Sequence, residues 1–106
     1  MSYAGPDSRS VIVAPTVNNA ASPYTALMSA RKIPVDPSGG AVTINLPDAT
    51  TVRNAVFTVF EVGGSTTTIT IQDTAGNNLD GSATATITAA YGQKTFISDG
   101  SEWWSI

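Results

Sequence analysis

The stretch Thr68-Ile69-Thr70-Ile71-Gln72 alternates polar and apolar side chains at every position. Residues 41–46 and 82–88 repeat this period of two. Because successive side chains of a strand point to opposite faces, the pattern predicts strands that are buried on one side. Turn clusters of Gly, Pro, Asn, Asp and Ser recur roughly every eight to twelve residues from Tyr24 onward. We therefore predict an all-β fold, a small antiparallel β-sandwich or barrel-like domain spanning residues 24–106.

The first 23 residues differ in composition from the rest of the chain. Ser, Asn, Ala and Pro dominate residues 1–23, and such a segment cannot bury enough of itself to fold alone. It is predicted to be an extended N-terminal arm. Its apolar patch, Val11-Ile12-Val13, is apolar on both faces of an extended strand, which suits addition to the sheet edge of another subunit. A disordered tail is the alternative interpretation.

Two features predict a homo-oligomer. Residues 56–62 place Phe57 and Val59 on one face of a strand and further apolar residues on the other face. Either this strand lies at the centre of a sandwich, or its outer face meets another subunit. Trp103 and Trp104 are adjacent, so they point in opposite directions and only one can enter the domain core comfortably. The predicted self-interface residues are Phe57, Val59 and Trp104.

Composition excludes several kinds of function. The 106 residues include five Lys or Arg and eight Asp or Glu, and the basic residues are scattered, which argues against a nucleic-acid partner. No apolar run approaches the ~20 residues of a membrane span. The chain has no His and no Cys, so the usual general base, thiol nucleophile and zinc ligands are missing. Ala75 and Leu79 occupy would-be ligand positions of a calcium loop. We expect no catalytic site, no metal and no cofactor.

The C-terminal half contains three motifs of strand and turn residues. They are Ile69-Thr70-Ile71-Gln72-Asp73, then Gly76-Asn77-Asn78-Leu79-Asp80-Gly81-Ser82-Ala83, and Ser98-Asp99-Gly100-Ser101-Glu102-Trp103-Trp104-Ser105-Ile106. In this order they resemble a module of tailed-bacteriophage virion proteins, which occurs on tail fibres and spikes and in small head-decoration proteins. With weaker upstream motifs, the resemblance covers residues 24–106, and it implies a structural β-module without catalytic residues.

Two functions follow from this resemblance. In the first, the protein is a capsid decoration (cement) protein that is made in the host cytoplasm. It would bind the outer head surface as an oligomer, and a trimer is the stoichiometry that we expect. Its arm, through Val11, Ile12 and Val13, would contact the major capsid protein and stabilise the capsid. In the alternative, it is a tail-fibre or receptor-binding tip in which Tyr91 and one of the two tryptophans stack on host glycan. A glycan depolymerase would need a longer chain with paired acids in a groove.

Overall fold

The computed structural model describes residues 12–106, and the fold is all-β, as predicted. The described residues form nine strands: β1 (Val17–Asn18), β2 (Tyr24–Thr25), β3 (Lys32–Asp36), β4 (Val42–Leu46), β5 (Val56–Glu61), β6 (Ile69–Asp73), β7 (Thr84–Ile87), β8 (Gln93–Ser98) and β9 (Trp103–Ser105). Three short 3-10 helices lie between strands, at Asn19–Ala21, Pro37–Gly39 and Ala49–Thr51. The strands form a five-stranded sheet of order β1-β3-β5-β8-β9 and a four-stranded sheet of order β2-β4-β6-β7.

From β1 to β6 the chain coils, because each successive strand joins the other sheet. Strands β1, β3 and β5 therefore lie side by side in parallel, as do β2, β4 and β6. The last three strands, β7 to β9, pair antiparallel. The prediction of an antiparallel arrangement is thus corrected, and both sheets are mixed. The turn clusters before β6 connect strands of different sheets. After one full turn of the coil the chain re-enters the same sheet, and the new strand runs parallel to the previous strand of that sheet.

The two sheets contribute to one hydrophobic core. The alternating strands bury the side that their pattern predicted, since Val42, Ile44 and Leu46 on β4 are fully buried. From the five-stranded sheet, Phe57 meets Trp103 edge to face, with ring centroids 5.7 Å apart and an interplanar angle of 81°. Aromatic pairs favour this arrangement. Period-two alternation therefore defines the core face of the predicted strands.

Residues 13–23 pack with the domain. Val13 bridges to Lys32 of β3, and the N–H of Ala14 donates to the Lys32 carbonyl at 2.9 Å. Val17, on β1, is 2% exposed and belongs to the core. The structure thus places ordered pairing and a core residue within the stretch that composition assigned to the arm.

Pro34 lies inside β3, which has a neighbour on each side, although proline cannot donate to a ladder. Between the paired positions Val13–Lys32 and Val17–Val35, the N-terminal segment advances four residues (17 − 13) and β3 only three (35 − 32). The Lys32 carbonyl points toward this segment, so the missing N–H of Pro34, two residues later, faces the same side. Pro34 is tolerated because it lies opposite this bulge.

The outer edge of β9 is covered by the chain itself. The N–H of Trp103 donates to the Asn78 carbonyl, and the N–H of Asp80 donates to the Trp103 carbonyl, both at 2.9 Å. Oδ1 of Asp80 accepts a further bond from the N–H of Ser105 at 2.8 Å. Uncovered strand edges are templates for pairing with other chains. β9 is therefore protected from adding a strand along this edge.

Candidate interaction surface

The five-stranded sheet has an outer side that faces away from the core. Residues paired across neighbouring strands share a face, and the register aligns Val56 of β5 with Ile97 of β8 and Trp104 of β9. Val56 and Ile97 are half-buried, and Trp104 is 43% exposed. One apolar row thus crosses three strands on the outer side of the sheet.

A second row runs beside the first. It aligns Val13, Lys32, Thr58, Thr95 and Ile106 across the sheet. The hydroxyls of Thr58 and Thr95 lie 2.9 Å apart, which places both side chains on this side. Val13 is 55% exposed and Ile106 is 73% exposed. Apolar side chains therefore stand at both ends of the second row.

Phe60 extends the same side along β5, where it is aligned with Pro34 and Gln93. The Nζ of Lys32 lies 5.9 Å from the centroid of the Phe60 ring, within cation–π range. We call the whole surface the outer face. It comprises Val13, Lys32, Pro34, Val56, Thr58, Phe60, Gln93, Thr95, Ile97, Trp104 and Ile106.

Two of the three predicted self-interface residues lie elsewhere. Phe57 and Val59 are fully buried in the core, so neither can contact a second subunit unless the sheets separate. The prediction is corrected for both. The opposite side of the same strand, with Val56 and Phe60, forms part of the outer face. The adjacent tryptophans do point in opposite directions, since Trp103 is fully buried and Trp104 is exposed.

The predicted arm residues are partly described. Val11 lies outside the described residues. Ile12 is 62% exposed and belongs to no strand, whereas Val13 pairs with Lys32 of its own chain. The pairing of Val13 is thus internal to this chain, and its side chain stands on the outer face.

The alternative function predicts that Tyr91 and one of the two tryptophans contact a glycan, and these residues do not form one platform. Trp103 is fully buried, and Tyr91 is 71% exposed in the turn before β8. Trp104 aligns with Ile97, near the other end of β8. At about 3.3 Å per residue, the four steps along β8 from Gln93 to Ile97 alone correspond to about 13 Å, and Tyr91 lies in the turn before Gln93. A single sugar ring cannot stack on Tyr91 and Trp104 together.

The buried carboxylate of Glu61 holds two turns. It is 2% exposed, and its oxygens accept bonds from the backbone N–H groups of Gly63, Gly64, Ser65 and Tyr91 at 2.8–3.0 Å. Burial by itself raises the pKa of Glu61, but these donors together outweigh it and hold the pKa below its ordinary value of 4.5. The carboxylate is thus a structural acceptor that ties the turn after β5 to the turn before β8.

Asp99 orients the exposed tryptophan of the outer face. Its Oδ1 accepts from the N–H groups of Ser101 and Glu102 at 2.8 Å, and its Oδ2 accepts from the indole N–H of Trp104 at 2.9 Å. The backbone bond from Glu102, followed by the Trp104 indole, lowers the pKa of Asp99.

Among residues 12–106, no group of three or more acidic side chains is placed to hold a metal ion.

Sequence reasoning missed Val56 and Ile97 as surface residues. Alternation within residues 93–98 places Ile97 on the face of the strand opposite to that of Phe96. The outward direction of Ile97 was therefore readable from its own strand. Which strands lie beside it was not readable, because the row depends on the pairing of β5, β8 and β9.

No protein-family model matches the chain, and no curated protein matches it at a significant level. Within residues 12–106, no helix has both the length and the apolar character needed to cross a membrane.

Proposed function

We propose that this chain is a non-enzymatic structural module that associates with copies of itself through the outer face. In this proposal it is a small β-sandwich, and it decorates the outer surface of a tailed-bacteriophage head by binding the major capsid protein. The observation that carries the self-association is the row of Val56, Ile97 and Trp104, which leaves a large indole half exposed beside aliphatic neighbours.

Physical reasons favour a protein partner for this row. Tryptophan is enriched among residues that contribute most to binding energy, and such residues sit within apolar surroundings that exclude water. The indole of Trp104 is already oriented by Asp99, so little side-chain entropy is lost when a partner covers it. Val13 and Ile106 extend the apolar surface at either end of the neighbouring row.

The capsid as the second partner rests on the resemblance of residues 24–106 to virion modules. In this proposal, residues up to Ile12 form the arm that contacts the major capsid protein. Ala14 and Val17 are buried, so the part of the chain available for an arm ends before them. The assembled form is proposed to be a trimer on the outer capsid surface.

The self-association is tested by sedimentation velocity. The double variant Ile97→Thr/Trp104→Ser should be monomeric, whereas wild type should sediment as an oligomer whose mass gives the stoichiometry. A matched control is Leu27→Ser/Met28→Ser, which removes two exposed apolar side chains from the turn between β2 and β3. A monomeric wild type at high concentration, or an unchanged oligomer in the outer-face variant, contradicts the proposed interface.

The capsid partner is tested by co-sedimentation with purified phage heads. Deletion of residues 1–12 should abolish head binding and leave the oligomer intact. The deletion stops before Ala14, since removing core residues would confuse loss of folding with loss of binding. Normal saturation of heads by the truncated protein rules out the arm. Retention by host cells but not by heads favours the tail-fibre alternative, with Trp104 as the exposed tryptophan for a glycan.

A further inference from the structure

A depression of about 250 Å³ opens beside the apolar row of the outer face. It is lined by Arg31, Lys32, Asn54, Val56 and Thr58. The chain carries a formal net charge of −3, yet two of the four basic residues in the range 12–106 line the depression. None of the seven acidic side chains in that same range contributes to the lining. The depression is thus a cationic site on an acidic protein.

From this lining we propose that the depression binds a carboxylate carried on a short aliphatic chain. The guanidinium of Arg31 and the ammonium of Lys32 supply the charge, and the amide of Asn54 supplies a neutral donor. Val56 and the methyl group of Thr58 supply apolar contact for the aliphatic part. The depression shares Lys32, Val56 and Thr58 with the outer face, but ligand binding there does not require self-association.

The backbone around the depression is held in place by the sheet. The N–H of Thr58 donates to the carbonyl of Arg31 at 2.9 Å, which ties the residue just before β3 to β5. The N–H of Asn54 donates to the Ser98 carbonyl at 2.8 Å. The Nζ of Lys32 lies 5.9 Å from the centroid of the Phe60 ring, and Phe60 does not line the depression. The backbone of the lining is therefore in place before any ligand arrives, and a bound carboxylate would draw the Lys32 ammonium toward itself.

Size selects the ligand class. Pockets for drug-sized molecules usually measure about 300–1,000 Å³, so this depression is small for a nucleotide or an oligosaccharide. It suits a group of a few heavy atoms, such as a free short-chain acid or the side chain of a glutamate on a partner. Both sources present the same chemistry, a carboxylate at the end of a short methylene chain.

The test is a titration followed by the amide NMR signals of Asn54 and Thr58. Propionate should cause saturable shifts with a dissociation constant on the order of millimolar, since ion pairs near the surface are weak. Sodium chloride at equal ionic strength should not cause them. The shifts should be lost in Arg31→Gln/Lys32→Gln and retained in Lys94→Gln, which removes an exposed lysine of β8 that does not line the depression.

Further titrations identify the source of the carboxylate and separate ligand binding from self-association. A blocked Gly-Glu-Gly peptide that binds more tightly than propionate assigns the site to a partner side chain, and the reverse order assigns it to a free acid. Each titration is repeated on Ile97→Thr/Trp104→Ser, so that self-association cannot hide the site. Absence of shifts in both backgrounds, equal shifts with sodium chloride, or binding of inorganic phosphate without propionate overturns the proposal.

Discussion

The indole N–H of Trp103 donates to Oδ2 of Asp73 at 2.9 Å, inside the core. Asp73 ends β6 in the four-stranded sheet, and Trp103 begins β9 in the five-stranded sheet. The bond therefore links the two sheets, and it satisfies the one polar atom of the largest buried side chain. Oδ2 of Asp73 also accepts from the N–H of Ala49 at 2.9 Å.

Replacing Asp73 should strongly destabilise the protein. Asp73→Ala leaves two buried donors, the Trp103 indole and the Ala49 N–H, without a partner. At about 1–3 kcal/mol for each unsatisfied buried donor, the free energy of unfolding should fall by about 3 kcal/mol or more. Urea denaturation measures this loss. Asp48→Ala, at a half-buried 3-10 helix cap, should lose clearly less stability, and equal losses would contradict a core role for Asp73.

The adjacent tryptophans should respond oppositely to truncation. Trp103→Ala removes a fully buried side chain and should cost about 3–5 kcal/mol of unfolding free energy. Trp104→Ala should cost under about 1 kcal/mol, because its side chain is partly solvent-exposed. Urea denaturation provides the stability of each variant, and sedimentation should show that only the Trp104 change affects association. The assignment of faces fails if Trp104→Ala is the more destabilising change.

The bonds to Glu61 predict a loss of stability in acid. The folded pKa of Glu61 is depressed, so its contribution is fully present above the ordinary value of 4.5 and is lost as pH falls through the folded pKa. Glu61→Gln should melt below wild type at pH 7, and the difference in melting temperature should narrow as pH drops below 4.5. The pKa values of three other carboxyl groups are also lowered, but these groups are present in both proteins, so their contributions to the pH dependence cancel in this comparison. They belong to Asp36, Asp48 and Asp99. A difference that is independent of pH would contradict the role of the charge.

Gly63 lies against the carboxylate of Asp36. An alanine Cβ at Gly63 would overlap Oδ1 of Asp36 and lie 2.8 Å from its Cγ, and that oxygen is already bonded to the N–H of Ser38 at 3.0 Å. Gly63→Ala should therefore cost about 1–2 kcal/mol of unfolding free energy. Gly39→Ala is the matched control, since nothing lies within 4 Å of its Cβ position.

A double-mutant cycle tests whether the cost of Gly63→Ala comes from its contact with the carboxylate of Asp36. In the Asp36→Ala background the carboxylate is gone, so Gly63→Ala should cost less than it does in wild type. Thermal or urea unfolding of wild type, the two single variants and the double variant gives the coupling free energy between the two positions. Strict additivity of the two changes would show that the strain at Gly63 arises elsewhere.

The turn glycines show how local chemistry can be predicted. Gly81 and Gly100, each preceded by an aspartate, lie in turn clusters of the kind that the sequence shows, and their φ angles are 83° and 91°. Positive φ is readily adopted only by glycine, so this feature depends on the residue and its immediate neighbours. The inward faces of β4 and β6 were predictable for the same reason, because alternation is a property of one strand.

Sequence alone thus determined the all-β class, the core side of each alternating strand and the split between Trp103 and Trp104. Tertiary structure decided that strands β1 to β6 alternate between sheets, that Phe57 and Val59 face the core, and that the outer face and its cationic depression exist. The physical reason is range: the direction of a side chain follows from the residues beside it, whereas strand partners are chosen by the packing of segments far apart in the chain.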